Sequence, residues 1–410
     1  MNEALKNLHP RHSFENAKIL IYSHDTFGLG HLRRCREIAH ALVETFSGIS
    51  VLIISGATIA GAFDYRSRVD FVKVPSVIKL RNGDYTSLAE HIALPDTLAM
   101  RRTIIKQTAK AFKPDIFIVD KEPVGLRGEI EETLQMLQAQ GTRLVLGLRE
   151  VMDAPDLLAK EWAKSDKMAK IQQYYDTVWV YGPKGFNDPL SGLDVPPEVR
   201  GKMLYTGFLR RRAKDIAPTR LGGKIADEYI LVTTGGGGDG ADIIRQVLRA
   251  YAIDTPPDLP ALITLGPFLP ARERDELKAL GAKTPNVQLI DFDNRLEDLV
   301  ADATAVTSMA GYNTFCEILS FDRPSLLLPR TEPREEQLIR AQRAAGMGLA
   351  TMLLPKVADD PHVLAAALRA LPRNPRPSQS VPTDELLCGL DTIVAQVGLW
   401  LQDSHPVTAS

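Results

Sequence analysis

Short apolar runs alternate with longer amphipathic stretches along this chain. Ala17 to Tyr22 (AKILIY), Ser50 to Ser55 (SVLIIS), Pro114 to Asp120 (PDIFIVD), Arg143 to Leu148 (RLVLGL) and Thr177 to Tyr181 (TVWVY) have the character of buried parallel strands. Phe71 to Val74 (FVKV) is a weaker run of the same kind. After the first run, Leu32, Cys35, Ile38, Ala39 and Leu42 recur at helical spacing. Leu98 to Phe112, Ile130 to Gln140 and Leu157 to Tyr175 also read as helices, whereas Val77 to Met100 mixes apolar and charged positions without a clear period. Gly182 to Gly201 and Arg210 to Gly223 are polar and loop-like, and then the pattern restarts. Strands are expected at Tyr229 to Thr233, Ala261 to Leu265, Val287 to Ile290, Ala303 to Val306 and Ser325 to Leu328. Helices are expected at Ala241 to Tyr251, Leu296 to Ala301, Glu335 to Ala345 and Leu364 to Leu371. A last helix, Glu385 to Gln402, follows the proline-rich link Pro372 to Pro382.

Alternation of this kind predicts an α/β protein with open, mostly parallel sheets. At 410 residues the chain exceeds one ordinary core. The expected organisation is an arm over 1–16, a first domain over 17–206, a second over 207–372, and the link with its helix over 373–410. The composition, 44% hydrophobic and 24% charged with a net charge of −2, is that of a globular protein with no overall footprint for nucleic acid. Cys35, Cys316 and Cys388 lie far apart in apolar stretches that read as helical, which argues for packing in a reducing compartment rather than a disulfide or metal site. The N-terminal stretch has no apolar core of a secretory signal, and no run approaches the roughly 20 apolar residues that span a bilayer. A cytoplasmic protein is expected, with membrane contact, if any, peripheral at the inner face.

Three stretches carry candidate chemistry. In TSMAGYNTFCEIL, Thr307 to Leu319, Gly311 sits where a strand turns into a helix, and Asn313 and Thr314 are good N-cap types. A helix opening there presents free N–H groups and a positive dipole end, a place for a diphosphate. Glu317 falls one turn in, within reach of a neutral part of the same ligand. The run Gly235, Gly236, Gly237, Gly238 again lies between strand and helix, where glycines let backbone approach phosphate closely. It lacks the lysine of a Walker A loop and the spacing of a dinucleotide fingerprint. In PRTEPREEQLIRAQ, Glu335, Glu336 and Gln337 open a helix and are able to bind sugar hydroxyls. The first glycine loop, GLGHLRR, places His31 at a helix start, where a ring with an unperturbed pKa of ~6.5 suits general-base work. His24 and Asp25 end the preceding strand, and Asp120 and Glu122 end another, so they are candidate acceptor-side residues. Arg33 and Arg34 read as surface charge, and Leu209 to Arg212 as a basic turn or a phosphate contact.

GLGHLRR near the N-terminus, TTGGGGDG opening the second half, and MAGYNTFCEIL followed by EEQLIRAQ together resemble the MurG-like glycosyltransferases. The resemblance runs from about Ile19 to Leu371 and is most specific over 286–346. It implies a GT-B fold: two Rossmann-like doubly wound domains facing a central cleft, with the C-terminal helix packing back on the first. It implies His31 as catalytic base or acceptor-side residue, Gly235 to Gly238 with Gly311, Asn313 and Thr314 on the donor diphosphate, and Glu317 on the ribose. Glu336 and Gln337 would take the donor sugar, and backbone around Phe292 to Leu296 the base. The implied chemistry is inverting transfer from a UDP-hexose or UDP-N-acetylhexosamine co-substrate, with no cofactor and no metal. The junction TGFLRR and the all-glycine second loop depart from the peptidoglycan enzyme of that family, so another acceptor is expected: a polysaccharide, a lipid or a small molecule. The alternative is a UDP-sugar hydrolase like that of the pseudaminic-acid pathway, which resembles the same architecture and has a GxGHxxR loop.

Overall fold

The computed structural model describes residues 14–25, 29–79, 84–89, 91–213, 228–236, 238–291 and 296–404. The chain divides into two compact units, one formed by residues 1–209 with 388–410, the other by residues 210–387.

The first unit is built on a seven-stranded, wholly parallel sheet ordered β3-β2-β1-β6-β7-β8-β9. The strands are β1 (Lys18–Ser23), β2 (Ser50–Ser55), β3 (Val69–Lys73), β6 (Ile116–Asp120), β7 (Arg143–Arg149), β8 (Thr177–Tyr181) and β9 (Met203–Tyr205). Helices α1 (Gly30–Thr45), α2 (Leu94–Phe112), α3 (Glu131–Ala139), α4 (Pro155–Trp162), α5 (Lys167–Tyr174) and α6 (Pro197–Lys202) connect them. Ile19, Ile21, Ile53, Phe117, Ile118, Leu146 and Val178 are all buried, as expected for strands covered on both faces.

Some expectations are corrected. The single helix over 157–175 is two, α4 and α5, with Asp166 at the second start. The unreadable stretch after Val77 holds an antiparallel hairpin, β4 (Val77–Lys79) with β5 (Tyr85–Ser87), before α2. The final helix, α13 (Gly389–Ser404), begins four residues later than the pattern suggests. It packs in the first unit: Trp179 donates its indole N–H to Gln396, and the rings of Trp179 and Trp400 stack at 6.0 Å. Cys388 precedes that helix rather than lying in it and forms an isolated antiparallel bridge with Leu209.

The second unit has a six-stranded parallel sheet ordered β12-β11-β10-β13-β14-β15. Its strands are β10 (Ile230–Thr233), β11 (Ala261–Thr264), β12 (Val287–Ile290), β13 (Ala305–Ser308), β14 (Ser325–Leu327) and β15 (Thr351–Met352). Its main helices are α7 (Ala241–Tyr251), α8 (Ala271–Gly281), α9 (Leu296–Asp302), α10 (Tyr312–Ser320), α11 (Glu336–Gly346) and α12 (Pro361–Ala370).

Each sheet reverses its strand order once, between β1 and β6 in the first unit and between β10 and β13 in the second. Open α/β sheets bind ligands outside the carboxyl ends of the strands at such a point. Among the described residues no helix is long and apolar enough to cross a membrane.

Candidate functional site

In the first unit the reversal point carries a buried polar cluster. Strand β1 ends in Ser23 and runs on into His24 and Asp25, which are 4% and 3% exposed. Helix α1 begins at Gly30, so His31 stands in its first turn and Arg34 one turn further on the same side. Asp120 closes β6 and is wholly buried. His31 Nδ1 is hydrogen-bonded to Asp120 Oδ2. Arg34 grips the same carboxylate with two hydrogen bonds, Nε to Oδ1 at 2.9 Å and Nη2 to Oδ2 at 2.6 Å. Arg34 is therefore a buried ion-pair partner, 2% exposed, and not the surface charge expected from the sequence.

The charges settle the proton positions. Burial alone would push the Asp120 carboxyl upward, but Arg34 and His31 outweigh it and hold the group well below the usual carboxylate range. An ionised carboxylate only accepts, so Nδ1 of His31 must donate to it. The Arg34 Nη2 that lies 3.1 Å from Nδ1 is then a second donor in close approach rather than a bonding partner. This tautomer leaves the Nε2 lone pair as the basic site. Burial lowers the His31 pKa, Asp120 opposes that, and Arg34 and Lys121 reinforce it, so the ring is neutral near pH 7.

His24 lies edge-on to His31 with ring centroids 5.8 Å apart. Burial depresses its pKa well below the ordinary value, and its Nδ1 is buried with no hydrogen-bond partner among the described residues. Asp25 accepts from Ser55 Oγ at 2.7 Å, and burial raises its pKa. Glu122 pairs with Lys167 at 3.0 Å; burial works against its ionisation, but His24, Lys121 and Lys167 lower its pKa overall. The structure thus brings His24, Asp25, His31, Asp120 and Glu122 to one sheet edge. A separate buried group lies nearby in sequence: Arg101 makes two 2.6 Å hydrogen bonds to Glu129, which also accepts from Tyr22 Oη at 2.5 Å.

In the second unit, α10 starts from the reversal point. Ala310 adopts a left-handed φ of +60°, and Gly311 is the extended N-cap residue. Asn313 and Thr314 fall inside the first turn, two and three residues past Gly311, which takes the cap position they were expected to fill. The free N–H groups and dipole of a helix start suit an anion. Gly311 has open space where a Cβ would project, as does Gly235 in the glycine loop, whose φ is +71°. Arg211 is buried and donates from Nη2 to Asn313 Oδ1 at 2.7 Å, so one residue of the basic run sits against the helix start. Arg340, wholly buried, donates to the Ala310 carbonyl at 2.9 Å and lies 5.7 Å from the Tyr312 ring. Two guanidinium groups thus flank the first turn of α10. Glu317 is completely buried further along the helix.

Arg330 ties the remaining parts together. It pairs with Asp239 in the glycine loop and donates to Glu336 at 2.7 Å, and its backbone N–H donates to Gln337 at 3.0 Å. Glu336 and Gln337 are the first two residues of α11. Gly236 and Gly238 lie in the same loop, while Gly237 and the stretch 292–295 expected to line the base fall outside the described residues. Sequence reasoning offered the run Leu209 to Arg212 as a basic turn or a phosphate contact without singling out Arg211, and it missed Arg34, Arg330 and Arg340. Of these three, a signal existed for Arg34, whose three-residue spacing from His31 places both on one helix face. Among the described residues, no three His, Cys, Asp or Glu side chains gather as a metal site.

Residues 229–385 match the model of the glycosyltransferase family 28 C-terminal domain. No curated protein matches the chain. Solved structures share the fold over nearly the whole chain. The glycotransferase of kitacinnamycin is 17% identical with a TM-score of 0.62, covering 95% of this chain and 99% of its own. MurG of Acinetobacter baumannii is 13% identical with a TM-score of 0.56, covering 93% and 99%. A Listeria monocytogenes protein described as a UDP-N-acetylglucosamine 2-epimerase is 12% identical with a TM-score of 0.55, covering 95% and 96%. Such distant likeness shows architecture alone; the family match over 229–385 speaks to the chemistry. The chain has the GT-B fold of these structures, and its residues 229–385 are similar to the glycosyltransferase family 28 C-terminal domain, which supports a glycosyltransferase drawing on a nucleotide-sugar.

Proposed function

We propose that the protein is an inverting transferase that moves a hexosyl or N-acetylhexosaminyl group from a UDP-sugar to an acceptor hydroxyl, with His31 as the general base. The observation that carries this reading is the buried His31–Asp120 pair at the first reversal point, with Nδ1 committed to the carboxylate and Nε2 left basic. The acceptor hydroxyl gives its proton to Nε2 as its oxygen attacks the anomeric carbon. The bond from that carbon to the diphosphate oxygen breaks on the opposite face, so one displacement inverts the centre. The imidazolium formed is stabilised by Asp120. Charge growing on the leaving diphosphate meets the start of α10 and the Arg211 guanidinium beside Asn313. Glu317 takes the ribose hydroxyls, Glu336 and Gln337 the donor sugar, and the glycine loop approaches the phosphates. His24, Asp25 and Glu122 line the acceptor side.

Calorimetric titration with UDP tests the donor half. Arg211→Ala removes a charge-assisted contact worth about 1.5–3 kcal/mol, so affinity falls roughly 10- to 150-fold. Glu317→Gln weakens binding in the same range if its carboxylate accepts from ribose. Unaltered UDP affinity in both folded variants removes the donor assignment from α10.

A further inference from the structure

The proposed mechanism uses His31 and Asp120; the Arg34 side chain buried against both has no part in it. We propose that Arg34 is a positioning residue for the base: by fixing the Asp120 carboxylate in one orientation, it holds His31 in the Nδ1–H tautomer with Nε2 open for the acceptor proton. The inference deepens the reading of His31 as base and rests on it.

Geometry carries it. A carboxylate paired only with an imidazole is free to turn about its Cβ–Cγ bond and offer either oxygen. Here both oxygens are taken by one planar fork, Oδ1 by Nε at 2.9 Å and Oδ2 by Nη2 at 2.6 Å. A guanidinium fixes the plane of its partner in this arrangement, which a lysine ammonium cannot do. Oδ2 is then the oxygen aimed at His31 Nδ1. The fork also lies over an aromatic ring. The Arg34 guanidinium lies 5.5 Å from the ring centre of Tyr181 in β8. Tyr181 is wholly buried, and its hydroxyl occupies the space over Gly147 of β7, where a Cβ would fall 1.9 Å from it. Helical spacing completes the design, because Arg34 stands three residues beyond His31 on α1 and so reaches the same carboxylate.

Charge works in the same direction. The groups that face His31 are Asp120 at the end of β6, Lys121 just after it, Arg34 on its own helix, and His24 and Asp25 at the end of β1. Asp120 favours the protonated ring, while burial, Arg34 and Lys121 disfavour it. Without Arg34 the carboxylate would lose its strongest counter-charge and the ring would lose a close repulsive neighbour, so the proton shared between them would bind more tightly.

Two-bond proton–nitrogen correlation spectra of the histidine rings test this without any substrate, with His31→Asn used only to assign the resonance. In the wild type, His31 should show the Nδ1–H pattern and titrate below the ordinary ~6.5. In Arg34→Met the midpoint should rise by about one pH unit, the usual scale of such environmental shifts. Arg34→Lys, which keeps the charge but not the fork, should show mixed tautomers with a smaller rise. An unchanged tautomer and midpoint in Arg34→Lys, or in folded Arg34→Met, overturns the proposal; should Arg34→Met fail to fold, Arg34→Lys decides alone. Ring spectra report on Arg34 whether or not His31 is the base, and turnover of His31→Ala reports on the base separately.

Discussion

Replacing Asp120 by Asn makes a sharp prediction about the base. Three donors converge on this wholly buried carboxylate: Nδ1 of His31 and two nitrogens of Arg34. Asn offers one acceptor oxygen, so in either amide orientation an NH2 group faces an Arg34 donor. The orientation that satisfies more partners places the oxygen at the Oδ2 position, which keeps the His31 tautomer but removes the charge. The imidazolium formed in the transition state then loses the Asp120 counter-charge, and so does the Arg34 guanidinium beside it. A positioned general base contributes about 10²–10⁴-fold, so turnover falls within that range. Removing the buried carboxylate charge that faces Arg34 costs about 3–5 kcal/mol of stability, within the 5–15 kcal/mol typical of a folded protein. The assay is the initial rate of nucleoside diphosphate release at saturating nucleotide-sugar, with UDP titrated calorimetrically in parallel. A folded Asp120→Asn enzyme within about tenfold of the wild-type rate refutes the reasoning, as does a rate loss that simply follows loss of UDP binding.

Glu129→Ala strands the Arg101 guanidinium, which is 1% exposed, and should cost about 3–5 kcal/mol in urea denaturation. Arg101→Met with Glu129→Leu should cost clearly less, and equal losses in the single and double variants would show that the buried charge is not the cause. Burial lowers the pKa of both His24 and His31, so the unfolded chain binds more protons than the folded one below about pH 6.5. Thermal stability should therefore fall from pH 7 to 5, and His24→Gln should flatten that slope; an identical slope in the variant contradicts the assignment of a buried neutral ring.

Much of the scaffold was readable because buried parallel strands are continuous apolar runs, as AKILIY and PDIFIVD illustrate. Helix α8 was not read at all, and its burial explains why: only Leu277 and Gly281 of its eleven residues are buried, so no apolar period marks it. The break between α4 and α5 carries neither Gly nor Pro, and its one local signal is the pair of N-cap types Ser165 and Asp166. Candidate site residues were found where they ended strands or opened helices, as with His31, Asp120 and Gly311. Their pairing was not legible, because His31 and Asp120 are 89 residues apart and meet only once β6 is laid beside β1. The buried arginines were hardest of all. In LRRR nothing distinguishes Arg211, which is buried against α10, from its exposed neighbour Arg212; that distinction exists only in three dimensions.

The central claim is a division of labour, with donor binding by the second unit and proton abstraction by His31 of the first. The direct measurement is nucleoside diphosphate release across a panel of nucleotide-sugars, with and without an acceptor extract, for the wild type and His31→Ala, with UDP affinity determined for both. The account predicts acceptor-dependent release by the wild type, at least a hundredfold loss of it in His31→Ala in keeping with the ~10²–10⁴ worth of a general base, and UDP affinity unchanged. Release that needs no acceptor would replace transfer by hydrolysis, and undiminished turnover by His31→Ala would contradict the account.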